Sequence, residues 1–213
     1  MDKYKFETLP KIKNDRVIVW SGGYDSTLIL LNELINYGCA VCWTFKFKGY
    51  SQEKYKKEEE CRNKFKKWAK TKGWKIQHEK IEVQSTIYPK GLLPQQYHWI
   101  NLLLAYGGND TKFILGFHLR DYFFQYKCNY LNILKETNVC MNKNIKLEFP
   151  FEFKDKWEIV RDVRENGIEK FVWTCEGIEK GNKPCGVCTP CNILRICNSE
   201  IEYNKNLEIK NVD

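Results

Sequence analysis

Between Val17 and Leu30 the sequence reads VIVWSGGYDSTLIL. An apolar, β-branched run passes within six residues into a helix-forming run. A strand that turns directly into a helix belongs to parallel α/β architecture. The turn itself is Ser21-Gly22-Gly23-Tyr24-Asp25-Ser26. Gly22 and Gly23 let the main chain approach an anion closely and permit positive φ. Ser21 and Ser26 add short hydroxyl donors, and the amides and dipole of a helix N-terminus favour negative charge. The expected ligand is therefore a phosphate group. The turn is too short for the Walker loop and lacks its Lys-Ser/Thr ending; it also lacks the three spaced glycines of the dinucleotide fingerprint. Asp25 is unfavourable beside a bare phosphate, so it reads as a helix cap or as a partner for Mg2+ bridging phosphates.

The same alternation continues along the chain. RVIVW, AVCWTF, WKIQHEKIEV, KFILGF and IKLEF read as strands. Helices are expected from Asp25 to near Gly38, Gln52 to Lys72, Tyr97 to Tyr106, about Asp121 to Asn138, and Asp155 to near Gly167. Leu28, Leu31 and Ile35 would form the buried face of the first. The pattern predicts an α/β fold with a doubly wound, Rossmann-like parallel sheet over residues 1–170, and a C-terminal segment, 171–213, packed on it. Ligands of such sheets bind beyond the strands' carboxyl ends at the switch point. The turn at Ser21 should therefore face the loop after the fourth strand, at His118. The tail from Trp173 reads as cysteine-rich and turn-rich.

The formal charge is +8, a balance that suits acidic small molecules as well as nucleic acids. Much of it lies in EKYKKEEECRNKFKKWAKTKGWK, where Lys and Glu alternate around Tyr55, Phe65, Trp68 and Ala69. That is the solvated face of an amphipathic helix rather than a nucleic-acid patch. No apolar run approaches the roughly 18 residues of a membrane span. The N-terminus has no apolar leader, so a cytoplasmic, reducing setting is expected. Disulfides are disfavoured there, and the ten cysteines need another account. Cys175, Cys185, Cys188 and Cys191 crowd into WTCEGIEKGNKPCGVCTPC. Four thiolates saturate a tetrahedral zinc ion, so the expected zinc is structural and leaves no open position for substrate. Cys197 falls outside the spacing and reads as a core thiol.

SGGYDS resembles the pyrophosphate loop of the ATP pyrophosphatase superfamily. Combined with Trp-Thr-Cys and Cys-Gly-x-Cys-x-x-Cys near the other end, the chain resembles the 7-cyano-7-deazaguanine (preQ0) synthase family from about Arg16 to Arg195. The resemblance implies an adenine nucleotide alpha-hydrolase-like fold and an ATP-dependent carbon–nitrogen ligase. Such an enzyme adenylates 7-carboxy-7-deazaguanine and converts it with ammonia to the amide, then to the nitrile. It implies one structural zinc per subunit, Mg2+ with ATP, and a homodimer. By that analogy Ser21, Gly22, Gly23, Asp25, Ser26 and Thr27 serve the pyrophosphate and its magnesium. Trp20 and Phe45 offer main-chain groups to adenine or ribose. Lys156, in a Lys-x-Glu-Ile step, stabilises charge on the α-phosphate. His118, Asp121 and Tyr122 fall where the base is read.

Each single residue also has an ordinary reading: Lys156 as a surface lysine at a helix start, His118 as a structural histidine, Asp121 as an N-cap. His78 and His98 read as packing residues. Departures from the family cluster in the middle of the chain. His118 replaces an Asn, Lys127 an Asp and Asn129 an Arg, and of a Pro-Gly-Arg-Asn stretch only Pro94 remains. These sites bear on the substrate more than on ATP. The alternatives are a variant that stops at the amide or joins the deazaguanine to another amine, a tRNA-modifying ATP pyrophosphatase, and a non-catalytic, zinc-stabilised nucleotide-binding module. No dedicated nucleic-acid-binding domain is visible.

Overall fold

A computed structural model describes residues 16–47, 51–83, 95–177 and 183–210. The expected turn and loop at 48–50 and 88–94, Pro94 included, lie outside them. Five strands form one sheet: β1 (Arg16–Val19), β2 (Cys39–Phe47), β3 (Lys75–Val83), β4 (Lys112–Ile114) and β5 (Lys146–Glu148). Their order is β3-β2-β1-β4-β5, and every pairing is parallel. The helices are α1 (Tyr24–Tyr37), α2 (Gln52–Thr71), α3 (Gln95–Tyr106), α4 (Tyr122–Gln125), α5 (Lys127–Met141), α6 (Lys156–Glu165) and α7 (Thr189–Lys210).

Strand alternation divides the core into two layers. Ile18, Trp20, Cys42 and Ile114 face one side, where they meet Leu28, Leu31 and Leu34 of α1, Phe65 and Ala69 of α2, and Ile159 and Val163 of α6. Val17, Val19, Trp43, Phe45 and Phe113 face the other, against Leu103 and Leu104 of α3 and Tyr130 and Leu134 of α5. Helices thus cover both faces, as a doubly wound sheet requires. The chain leaves β1 outward through α1, β2, α2 and β3. It then returns through α3 to β4 on the other side of β1. The carboxyl ends of β1 and β4 are the switch point.

Several local expectations shift. On α1 the inward position is Leu34, while Ile35 is 55% exposed; a helix advancing 3.6 residues per turn carries the stripe from Leu31 to Leu34. β4 ends at Ile114 rather than Phe117. Leu115 still donates to the Glu148 carbonyl at 3.0 Å, and then Gly116 passes beneath the start of α1. A Cβ on Gly116 would stand 2.8 Å from Asp25 Cβ, so this approach needs glycine. The expected 121–138 helix is divided at Tyr126 (φ −122°) into α4 and α5.

The largest correction is α7. A tail read as turn-rich contains a helix of 22 residues. Leu194, Cys197 and Ile201 follow helical spacing and pack with α6 into the α1 side of the core. Pro190, in the first turn, is where a helix tolerates proline. The C-terminal segment therefore shares its core with the α/β domain.

Candidate functional site

The turn after β1 is built as an open cradle. Gly22 has φ +96° and Gly23 stands at the N-cap of α1. The first helical bond runs from Thr27 N to Gly23 O at 3.1 Å, so the earliest amides of α1 have no partner in a preceding turn. Ser26 is buried and its Oγ accepts from Ser21 N at 3.2 Å. The Ser21 and Ser26 hydroxyls lie 3.0 Å apart. Ser21 Oγ also accepts from Gly23 N at 3.3 Å. Two hydroxyls and a helix N-terminus thus converge on one small region of the strands' carboxyl edge.

Asp25 is neither the N-cap nor free. Lys156, the first residue of α6, donates to both its oxygens, at 2.6 Å to Oδ1. The pair is mostly buried, at 22% and 19% side-chain exposure. Lys156 reaches it because α6 starts at a fixed point: Glu158 accepts from Asp155 N at 2.7 Å, closing a capping box. The surface-lysine reading is therefore replaced by an ion pair that links α1 to α6. The Lys156 ammonium also offsets the charge of the Asp25 carboxylate.

His118 lies across from this pair, bridging to Phe151 in the extension of β4. Its Nδ1 is buried without a hydrogen-bond partner among the described residues. Burial lowers its pKa, with the nearby Asp25 opposing that shift and Lys156 reinforcing it. Asp121 caps α4, accepting from Phe123 N at 3.1 Å. Tyr122 is 47% exposed and packs against Tyr126 at 5.1 Å between ring centroids. So the sheet brings Ser21, Asp25, Ser26, Lys156 and His118 together, while Tyr122 turns towards solvent.

Three residues assigned to ATP lie within the protein. Trp20 is fully buried; its amide bonds Trp43 O at 2.8 Å, and its carbonyl accepts from Thr44 Oγ1 at 2.6 Å. Thr27 is fully buried and accepts from Trp20 Nε1 at 3.0 Å. The Phe45 side chain faces the other core layer, and its carbonyl accepts from Tyr55 OH. These residues set the cradle's back wall. Beside them a cavity of about 90 Å³ is lined by Ser21, Thr44, Phe45, Tyr55, Glu58 and Trp99. Two larger depressions, of about 680 and 850 Å³, lie towards the amino ends of the strands, away from the cradle.

His78 packs edge-on against Trp20, as expected of a packing residue, at 5.2 Å between centroids. Because Thr44 gives its hydrogen to Trp20 O, His78 Nε2 must donate to Thr44 Oγ1, at 2.9 Å. Burial and the Lys66, Arg62 and Lys80 charges push the His78 pKa down to about 3. A folded-state pKa below the unfolded value of about 6.5 means that the unfolded chain binds the proton first. Stability is complete above that value and falls as pH drops from about 6.5 towards 3, by up to ~1.4 kcal/mol per unit. The expected result is a shallower acid slope for His78→Gln, read from urea midpoints between pH 6.5 and 4. An unchanged slope would remove His78 from this role.

The four tail cysteines form the second element. Their Sγ atoms all lie within 4.8 Å of one another, with Cys175–Cys185 at 3.4 Å and Cys175–Cys188 at 3.8 Å. None is in a disulfide. Gly186, at φ +72°, makes the tight knuckle. Backbone amides of Val187 and Cys188 hold the Cys185 thiol below its ordinary pKa, and Cys185 N points at Cys175 Sγ at 3.1 Å. Sulfurs arranged this way can bind a metal. The cluster abuts the cradle: Trp173 N donates to Gly22 O at 3.0 Å, and a Cβ on Gly23 would meet Thr174 Cγ2 at 3.3 Å. Cys197 is a buried core thiol.

The residue that sequence reasoning missed is Arg62. It sits in the charged helix yet is 1% exposed, and its Nη1 donates to Ser21 O. The available signal was positional. Arg62 precedes Phe65 by three residues and Ala69 by seven, which places it on the buried stripe of α2.

Fold and site together define a doubly wound parallel α/β domain with a glycine-rich turn at its switch point and a four-cysteine cluster able to hold a metal behind it. Among the described residues no helix is long and apolar enough to cross a membrane. No family profile and no curated protein matches the chain. Among solved structures, it is similar to the U34-tRNA thiolase NcsA from Methanococcus maripaludis with its [4Fe-4S] cluster, at 12% identity and a TM-score of 0.49. The likeness covers 89% of this chain and 65% of that one, so the chain spans under two thirds of its neighbour. At that identity and score it bears on neither substrate nor cofactor here.

Proposed function

We propose that this chain is an ATP-dependent carbon–nitrogen ligase of the ATP pyrophosphatase type, acting on a 7-carboxy-7-deazaguanine-like base. The observation that carries the reading is the contact of its two motifs. The SGGYDS turn and the Trp-Thr-Cys step, at opposite ends of the chain, are joined by the Trp173 N to Gly22 O hydrogen bond. In the reading, the cradle amides and the Ser21 and Ser26 hydroxyls hold the pyrophosphate of ATP. A carboxylate oxygen of the base attacks the α-phosphate and pyrophosphate leaves. Ammonia then adds to the acyl carbon, AMP leaves, and a proton is lost to give the amide. A second adenylation, on the amide oxygen, releases a second pyrophosphate; loss of AMP and of both amide nitrogen protons then gives the nitrile. Lys156 is the cation placed to meet charge that develops on the α-phosphate.

Both Asp25 oxygens already accept from Lys156, so the cradle is a poor carboxylate site for Mg2+. The ion that accompanies ATP is better held by phosphate oxygens and water. The cysteines support one zinc, with all four sulfurs within 4.8 Å of one another. Sulfurs about 2.3 Å from a shared tetrahedral ion stand roughly 3.8 Å apart, close to the 3.4 and 3.8 Å seen for two pairs. A multi-iron cluster puts each thiolate on a different iron and spreads the sulfurs further. The zinc would supply a cross-link and no reaction step. A homodimer and a cytoplasmic setting complete the proposal.

The test incubates purified protein with the 7-carboxy base, ATP and ammonia, and follows AMP release alongside product mass. Base-dependent AMP with amide or nitrile supports the reading. Amide alone assigns the truncated variant. Absence of base-dependent AMP release sinks the ligase assignment.

A further inference from the structure

The cradle lacks the lysine that phosphate loops of the Walker type carry, yet a cation lies directly beneath it. Arg62 Nη1 donates to Ser21 O, and a Cβ on Gly22 would come within 3.1 Å of the same nitrogen. The guanidinium is 1% exposed and stands 5.7 Å over the Tyr55 ring. Its acidic neighbour is Glu58, at 3.6 Å, beyond a good hydrogen bond. Its Nε is buried with no partner among the described residues. A buried charge so loosely paired costs stability, and apolar residues of similar volume are often tolerated better in such places.

Arg62 also orients the turn. In a trans peptide the carbonyl and the following amide point opposite ways. Drawing Ser21 O towards α2 therefore aims Gly22 N–H to the other side, away from α2. Trp20 O is held towards the same side by Thr44, which His78 supports in turn, with Lys66 Nζ 3.4 Å from His78 Nδ1. Two successive carbonyls are thus pinned by side chains reaching from outside the turn.

We propose that Arg62 is the positioning cation of this phosphate loop: it lies beneath Gly22, fixes the Gly22 amide towards the ligand and supplies the positive charge that the turn itself lacks. The inference rests on the phosphate-binding reading of Ser21–Ser26 and extends it to a residue of a separate element. Its ligand class is a polyphosphate. Glu58, the neighbouring carboxylate, opposes that attraction.

The test is calorimetric titration of the full chain with inorganic pyrophosphate. Arg62→Met should weaken binding about tenfold or more, given the strength of charge interactions at a few ångströms under low effective dielectric. Arg62→Lys, which keeps charge but loses the planar fork, should fall between. Glu58→Gln should tighten binding, an opposite sign that misfolding cannot produce and that decides the matter if Arg62→Met fails to fold. Arg62→Met within twofold of the parent, or Glu58→Gln that weakens binding, overturns the role of Arg62 and leaves the cradle reading standing. A parent protein that binds no pyrophosphate overturns both.

Discussion

Cys175→Ser is expected to cost the protein the proposed zinc and to lower its melting temperature by about 10 °C. Cys175 is the most enclosed of the four, 2% exposed between Cys61 of α2 and Trp173. Its sulfur lies 3.4 Å from Cys185 and 3.8 Å from Cys188, so its loss opens the set at its centre. Structural zinc sites in small domains are worth on the order of 10–16 kcal/mol in apparent binding. Losing only about 4 kcal/mol of that lowers the midpoint of a domain this size by roughly 8–16 °C. The damage should spread to the cradle, because Trp173, two residues before Cys175, donates to Gly22 O. Cys197→Ser is the control: it alters a buried thiol of the α6–α7 core and should retain the metal. Elemental analysis gives the stoichiometry and scanning calorimetry the midpoint. One equivalent of metal retained by Cys175→Ser would exclude it as a ligand. Iron with labile sulfide in the parent would replace zinc as the metal.

The sheet was legible because its signals are local. Each strand is an apolar run, and each of the first helices ends where glycine or asparagine can turn the chain, as at Gly38, φ +68°. The meeting of β1 and β4 followed from topology alone, since right-handed crossovers leave few strand orders. What stayed hidden depends on partners distant in sequence. Arg62 looks like any other charge of α2 until the β1 turn is laid over it. Lys156 is singled out by its Lys-x-Glu-Ile step, but its partner Asp25 shows only once α6 docks with its first residue over α1. α7 is obscured for a different reason: its first turn lies inside the Cys-x-x-Cys run, leaving Leu194, Cys197 and Ile201 as a short helical period. Trp20, Thr27 and Phe45 show the converse: their side chains are buried in the core, and of the three only Trp20 and Phe45 border the cavity beside the cradle. A motif fixes which residues flank a ligand in sequence, but strand pairing decides which of their groups remain available.

The second large effect concerns Lys156, a structural residue by its ion pair with Asp25 and a chemical one under the proposed function. Paired with Asp25, it stands beside the cradle at low exposure. Under the proposed function a nucleotide would offer it a second anion, and the phosphates would compete with Asp25 for the ammonium. The competition favours charge that grows during transfer, because the interaction strengthens as negative charge shifts onto the oxygens around the α-phosphorus while Asp25 stays unchanged. Lys156→Met should therefore lower kcat by about 10²- to 10³-fold, the usual loss for removing one transition-state donor, while KM for ATP changes far less. Asp25→Asn should act in the other direction on binding. It frees the lysine from its carboxylate, so pyrophosphate should bind tighter and leave more slowly, with kcat reduced through product release. A purely structural ion pair predicts the same stability loss for both variants and no such divergence. Base-dependent ATP–pyrophosphate exchange reads the chemical step, and titration with pyrophosphate reads binding. Lys156→Met retaining a tenth or more of the parent exchange rate would return Lys156 to a structural role.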